Sequence, residues 1–98
     1  MIITKTENGA ALTLELEGRL DTTTSKQLEA ELGTSFVGKK EVILDFAKLV
    51  YLSSAGLRVL LAAQKLMNKQ GSMVIKNVND TIMEVFEITG FADILTIK

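Results

Sequence analysis

The chain has 98 residues, 47% of them apolar, and contains neither cysteine nor histidine. This length and apolar content predict one domain, spanning residues 1–98, that folds without disulfides. Without histidine the chain lacks the commonest general base and the commonest metal ligand, and its acidic residues have no metal-loop spacing. The 11 lysines and arginines nearly balance the 12 aspartates and glutamates, so there is no basic excess that would bind nucleic acid.

The first residues lack the basic region and long apolar run of a signal peptide, and no apolar stretch is long enough to span a bilayer. We therefore expect a cytoplasmic protein that has no cofactor and makes no direct membrane contact. A domain cut from a larger membrane protein has the same composition, so that alternative stays open.

The N-terminal segment predicts a β-hairpin. Residues 2–6 form the first predicted strand, and Asn8 and Gly9 form the turn, because both residue types tolerate a positive φ. Leucines at positions 12, 14 and 16 then alternate with polar residues. This period of two predicts a strand with one buried face, ended by Gly18.

A helix and a central strand are predicted next. Capping residue types at 21–24 precede Leu28, Leu32 and Phe36, whose spacing predicts a first helix that closes near Gly38. Residues 42–46 are apolar almost without alternation, which predicts a central strand covered on both faces.

The C-terminal half predicts two more helices, each followed by a strand. A helix over residues 54–70, with Gly71 as its C-terminal cap, precedes a strand at 73–75. A third helix, capped by Asn79 or Asp80, ends before Gly90, and a last strand covers 94–97. The order β-β-α-β-α-β-α-β predicts an α/β fold with a single-layer, mixed, mostly parallel sheet, because strands that alternate with helices need crossovers.

Two residues in the first turn of the second helix are unfavourable for stability. Gly56 costs about 0.5–1 kcal/mol relative to alanine, and Arg58 puts a cation at the positive end of the helix dipole. One interpretation is purely structural. In it Ser53 or Ser54 caps the helix, Gly56 allows close packing on a strand, and Arg58 is solvated.

The helical period supports a functional interpretation. One stripe of the helix carries Ser54, Arg58, Leu61 and Lys65. The flanking positions are expected to be buried: Leu57, Leu60, Ala63 and Met67 on one side, and Val59, Ala62 and Leu66 on the other. We therefore expect Ser54 to be exposed. A phosphate there would face free backbone N–H groups, add about −1.5 to −2 charges and obstruct a partner.

These segments resemble the anti-sigma factor antagonist family, the stand-alone bacterial form of the STAS domain. The resemblance covers essentially the whole chain and rests on Gly18-Arg19-Leu20-Asp21, Leu44-Asp45-Phe46, Leu52-Ser53-Ser54-Ala55-Gly56-Leu57-Arg58 and Thr89-Gly90-Phe91. It implies that the unphosphorylated chain binds an anti-sigma factor, itself a serine kinase, and so releases a sigma factor. Phosphorylation abolishes that binding, and a PP2C-type phosphatase restores it.

The family motif Asp-Ser-Ser/Thr-Gly-Leu-Gly aligns with residues 53–58, which implies that Ser54 is phosphorylated. Ser53 replaces the acid and Arg58 replaces a glycine, so Ser53 is a rival phosphorylation site. Asp21 matches an acidic position of the partner surface, and a helix cap explains it equally well. The implied partner-binding residues are Asp21, Thr22, Ser53, Ala55, Gly56, Leu57, Arg58 and Leu61.

Two other classes of function compete with this one. STAS domains also serve as constitutive adaptors in stress-sensing, lipid-transport and anion-transporter assemblies, and the loss of the acid at Ser53 favours that role. An enzyme is disfavoured because no histidine can activate Ser54 and because Lys65 lies too far along the helix. Asp45 has no evident nucleophile partner, and no phosphate-binding glycine motif follows a strand.

Overall fold

Three helices cover one face of a four-stranded mixed sheet in the computed structural model, which describes residues 1–98. The strands are β1 (Ile2–Asn8), β2 (Ala11–Leu20), β3 (Glu41–Leu52) and β4 (Ser72–Lys76), and the helices are α1 (Ser25–Leu32), α2 (Ser54–Gln70) and α3 (Asp80–Thr89). The strands lie side by side in chain order. β1 and β2 are antiparallel, whereas β2, β3 and β4 are parallel to one another. The predicted α/β class and the mixed, mostly parallel sheet are confirmed.

The β1–β2 hairpin turns at Gly9 and Ala10, one residue later than predicted. Of the turn residues only Gly9 has a positive φ, 62°. A single positive φ at the first turn position is typical of a type II′ loop, where glycine is preferred. Asn8 instead pairs with Ala11 as the last rung of the ladder.

β3 is much longer than the predicted segment 42–46, because two irregularities change its side-chain period. Its buried residues fall at positions 42, 44 and 46, and then at 49 and 52. The two spacings of three coincide with two shifts in the β2–β3 register, at each of which β3 gains one extra residue. The second shift lies at Gly18, whose φ is 104°. Gly18 therefore lies within β2 opposite the second bulge of β3 and does not end the strand as predicted.

The sheet is buried on its helix side only. One apolar core of 21 residues joins the sheet to the three helices, and the ring centres of Phe46 in β3 and Phe86 in α3 are 6.4 Å apart. On the other face Ile43 and Asp45 are half-buried and Glu15 is exposed. The prediction that the central strand is covered on both faces is therefore wrong. An apolar run does not distinguish a fully buried strand from one whose outer residues are shielded only by neighbouring strands.

The first helix ends at Leu32 and not near Gly38 as predicted. Successive turns occupy residues 33–38, and they still bury Phe36 completely. Lys5 of β1 stabilises this segment, because its Nζ donates to Ser35 Oγ at 3.2 Å and lies 3.4 Å from Glu31 Oε2. The apolar spacing that predicts one long helix is thus satisfied by a short helix followed by turns.

The boundaries of the second and third helices are close to those predicted. α2 spans Ser54–Gln70, and Asn79 caps α3 by accepting a hydrogen bond from the Ile82 N–H at 2.9 Å. Gly90 ends α3 with a φ of 82°, a left-handed conformation. Gly71 follows α2 as predicted, and a side chain there would collide with the Lys40 carbonyl group.

The predicted last strand at residues 94–97 is wrong. A short 3₁₀ helix, Phe91–Asp93, follows α3 and leaves only the last residues of the chain beside β4. There Ile97 forms a single parallel bridge with Ile75, with two backbone hydrogen bonds of 2.9 Å. Of the helices in this fold, none combines the length and the apolar character that crossing a membrane requires.

Candidate functional site

The first turn of α2 lies directly on the carboxyl ends of β2 and β3. Gly56 is buried there, and a Cβ at this position would lie 2.8 Å from both Leu20 Cγ and Leu52 Cδ1. The Ser53 N–H donates to the Leu20 carbonyl at 2.9 Å, which ties the start of α2 to the end of β2. The structure therefore supports the packing interpretation of Gly56, whose missing side chain sets how closely the helix approaches the sheet.

Ser53 is the N-cap of α2. Its backbone is extended, and its Oγ accepts a hydrogen bond from the Gly56 N–H at 3.3 Å. This bond satisfies one of the N–H groups that the first turn of a helix leaves without a backbone partner. Aspartate caps a helix about as well as serine. The replacement of the acid by Ser53 thus keeps the cap and removes one negative charge.

Ser54 is the first residue of α2, and its side chain is exposed. Its hydroxyl has no hydrogen-bond partner within the chain, whereas Ser53 is half-buried and its hydroxyl is engaged in the cap. The two adjacent serines therefore have different environments. A group attached to Ser54 would leave the capping bond untouched, whereas a group attached to Ser53 would be carried by the oxygen that accepts that bond.

The loop between β2 and α1 is folded around the carboxylate of Asp21. Asp21 Oδ1 accepts hydrogen bonds from the N–H groups of Thr23 and Thr24, at 3.1 and 3.0 Å. The bond from the Thr24 N–H is the largest of several causes that hold the pKa of Asp21 below its ordinary value, and the nearby Arg19 charge acts in the same direction. Asp21 is thus not the N-cap of α1, which is Thr24; its carboxylate instead organises the turn that enters α1.

Arg19 joins this loop to the end of β3. Its guanidinium lies 4.0 Å from the centre of the Tyr51 ring, and its Nε lies 3.8 Å from Asp21 Oδ2. Solvent screens such exposed contacts, so they add little to the stability of the domain. Val50 and Tyr51 expose 66% and 41% of their surface. The end of β3 therefore presents apolar area immediately before the start of α2.

A groove between the start of α1 and the first two turns of α2 brings three of the predicted partner-binding residues together. Its lining residues come from the loop and from both helices: Thr22, Ser25, Lys26, Glu29, Ala55, Arg58 and Val59. Arg58 is exposed, and the three ion pairs of the chain all lie elsewhere. The groove thus contains a cation that no carboxylate of this chain neutralises.

Other residues of the predicted partner surface are less accessible than expected. Gly56 and Leu57 are buried, so they support the surface from below and do not themselves offer contact area. Leu61 is half-buried and not the open contact residue that the helical stripe predicts. Ala62, predicted to be buried, is exposed, while Gln64 is buried. The differences at Leu61, Ala62 and Gln64 have one cause, because the buried arc of α2 is not centred opposite Ser54 but is rotated toward Leu57 and Gln64 and away from Ala62.

Lys26 and Glu29 line the groove, and Tyr51 lies at the exposed end of β3 that precedes α2. The sequence pattern did not indicate any of these three residues. Lys26 and Glu29 reach the groove because α1 packs beside α2, a contact that no local period indicates. Tyr51 lies beyond the predicted end of the central strand, because the alternation of side chains is interrupted at the register shifts. The sequence feature that could have indicated Tyr51 is the pair of large apolar residues, Val50 and Tyr51, shortly before the capping serine.

Asp45 does not share a site with Ser54. It lies on the open face of the sheet, in a shallow depression with Thr4 and Glu15. Its Oδ1 accepts hydrogen bonds from the Asn77 side-chain amide at 3.0 Å and from the Ala47 N–H at 2.9 Å. These bonds lower the pKa of Asp45, so the carboxylate is held in its ionised form by structural partners.

Comparison with protein families finds a match to the STAS domain over residues 2–98. BtrV of Bordetella bronchiseptica, which is named as an anti-sigma factor antagonist, is 43% identical over 84 residues, covering 84% of this chain and 72% of that protein. The anti-sigma-B factor antagonist of Listeria monocytogenes is 32% identical over 83 residues, covering 83% of this chain and 73% of that protein.

The fold also matches solved structures of the anti-sigma factor antagonist SpoIIAA. Its unphosphorylated form has a TM-score of 0.84 at 19% identity, covering 99% of this chain and 88% of that one. The phosphorylated form of the Bacillus protein has a TM-score of 0.77, also at 19% identity, covering 99% of this chain and 91% of that one. At this identity the likeness concerns the fold.

Proposed function

The chain belongs to the STAS domain family, and on that basis we propose that it is a cytoplasmic anti-sigma factor antagonist controlled by phosphorylation of Ser54. The unphosphorylated chain binds an anti-sigma factor that is also a serine kinase, and the bound sigma factor is released. A PP2C-type phosphatase removes the phosphate. The chain acts by binding and not by catalysis, because it has no histidine to activate a serine.

The contrast between Ser53 and Ser54 carries this proposal. A kinase needs an accessible hydroxyl, and of these two serines only Ser54 is exposed with a hydroxyl free of other contacts. Ser53 accepts the capping hydrogen bond from Gly56 and is half-buried, so its hydroxyl is less accessible to a kinase.

The surroundings of Ser54 are suited to a partner interface. The groove that Thr22 and Arg58 line lies beside the start of α2. The exposed end of β3, with Tyr51, comes shortly before Ser54 in the chain. A phosphate adds about −1.5 to −2 charges and three oxygen atoms at this surface. Because Ser54 does not contact the apolar core, this change blocks a partner without unfolding the domain.

A constitutive adaptor is the second candidate, and the replacement of the family's acidic residue by Ser53 favours it. In that role the same surface binds a partner permanently and no serine is modified. The capping bond of Ser53 makes this replacement weaker support for an adaptor, because serine still caps the helix as the acidic residue would.

A kinase assay separates the two functions. The purified chain is incubated with ATP and each purified anti-sigma serine kinase of its source organism, and the phosphate is located by mass spectrometry. We expect modification of the unaltered chain and none of Ser54→Ala. Ser53→Asp is the matched control, because it keeps a cap and removes the rival hydroxyl, and it should still be modified. Phosphate on Ser53 alone would contradict the proposal. Absence of phosphate from both serines would favour the adaptor.

A further inference from the structure

Arg58 is a cation without a partner, one helical turn after Ser54. Both side chains are exposed, and no carboxylate lies within ion-pair distance of Arg58. Arg58 is the fifth residue of α2, and the side chains of helical residues incline toward the helix N-terminus, where Ser54 lies. Arg58 is therefore free to pair with an anion at the Ser54 end of this turn.

We propose that Arg58 binds the phosphate group carried by Ser54, so that phosphorylation removes this cation from the partner surface at the same time as it adds an anion. The inference rests on the proposed function only for the occurrence of the phosphate. The pairing itself follows from the spacing of the two residues on α2.

The geometry of the helix favours this pairing. Residues four apart lie on the same face, with Cβ atoms about 5–6 Å apart. A guanidinium on its long side chain spans that distance, and its planar donors match two phosphate oxygens at once. The Ser53 cap already occupies the Gly56 N–H. The side chain of Arg58 therefore supplies donors in addition to the N–H groups of Ser54 and Ala55, which the cap does not engage.

The other charged groups on α1, on α2 and in the β2–α1 loop are less suited than Arg58 to bind a phosphate on Ser54. Glu29 of α1 lines the same groove and is an anion, yet it does not pair with Arg58. Lys26 is the second cation of the groove but extends from α1. Asp21 is already hydrogen-bonded to its own loop. Lys65 lies on the same stripe, but about 16 Å along the helix from Ser54.

Phosphorylation changes the sign of the charge that Ser54 and Arg58 carry together. Without phosphate, Ser54 and Arg58 together carry one positive charge. With it, they carry between about −0.5 and −1, because the phosphate adds about −1.5 to −2. Ser54 and Arg58 thus act as one electrostatic unit, and the modification reverses its charge.

The test uses the full chain with phosphoserine incorporated at position 54 during translation. The second pKa of the phosphate is followed by ³¹P NMR in the parent chain and in Arg58→Gln, Arg58→Lys and Lys65→Gln. We expect this pKa to be about 0.3 higher in Arg58→Gln, because the arginine stabilises the dianion. Arg58→Lys should lie between the two, and the matched control Lys65→Gln should equal the parent. Added salt should reduce the difference.

Equal phosphate pKa values in the parent and Arg58→Gln would overturn the inference. An equally large effect of Lys65→Gln would also overturn it, because a general field of the chain would then explain the result. Failure of the kinase assay would overturn the proposed function and leave this pairing intact, because the phosphoserine is incorporated without a kinase.

Discussion

Gly56 of α2 lies so close to Leu20 of β2 that a Cβ at position 56 would come within 2.8 Å of Leu20 Cγ. This contact holds the start of α2 against the sheet and places Ser54 at the boundary between helix and strand ends. The position of the candidate site therefore depends on a buried residue that offers no partner any contact.

Replacement of Gly56 by alanine is expected to destabilise the domain by up to about 2 kcal/mol. Alanine is the better helix former by roughly 1 kcal/mol, but overpacking against Leu20 and Leu52, both buried, outweighs that gain. The measurement is urea-induced unfolding followed by circular dichroism. Gly33→Ala is the matched control, because its Cβ would meet only the Ala30 carbonyl at 3.9 Å. An equal loss of stability in both variants would contradict the steric explanation.

Removal of the cap is expected to cost about 1 kcal/mol in Ser53→Ala, because the Gly56 N–H loses its hydrogen-bond acceptor. Ser53→Asp should remain within about 0.5 kcal/mol of the parent chain, because aspartate caps equally well and its charge suits the helix N-terminus. Thermal unfolding of the three proteins side by side measures the difference. If Ser53→Ala were as stable as the parent, the capping role assigned here would be wrong.

Charge at position 54 is expected to decide partner binding. Ser54→Asp should weaken binding to the anti-sigma kinase that modifies the chain by at least about tenfold, or 1.4 kcal/mol. Ser54→Ala should keep the parent affinity, since the hydroxyl has no partner within the fold. Titration calorimetry provides the affinities, and circular dichroism checks that both variants remain folded. Identical affinities of the two variants would be incompatible with an electrostatic switch.

The stability of the domain is expected to fall in acid partly through Asp21. Folding lowers the pKa of this carboxyl, so its stabilising contribution is present above the unfolded pKa and is lost as the pH falls through the lower folded value. Asp21→Asn should therefore lose stability at neutral pH and show a shallower decline between about pH 5 and pH 2. Denaturant unfolding at several pH values measures both slopes. Parallel curves for parent and variant would show that Asp21 does not contribute.

Much of the fold could be predicted from local patterns. The period and caps of α2, the cap Asn79 and the end of α3 at Gly90 all depend on contacts within a few residues, and they agree with the structure. The failures depend on distant contacts. The register shifts near Gly18 require β3 beside β2, and the turns that follow α1 are held by Lys5 of β1.

The candidate site divides in the same way. By itself the sequence determined that Ser54 starts a helix and shares a stripe with Arg58, because residues four apart on a helix always lie on one face. The tertiary structure decided that Ser53 is half-buried and tied to Leu20 of β2 while Ser54 is exposed. It also brought Lys26 and Glu29 of α1 into the groove and buried Gly56 and Leu57 beneath the surface. The physical reason is that burial and groove formation depend on how the helices pack against the sheet. That packing is determined jointly by residues that are far apart in the chain.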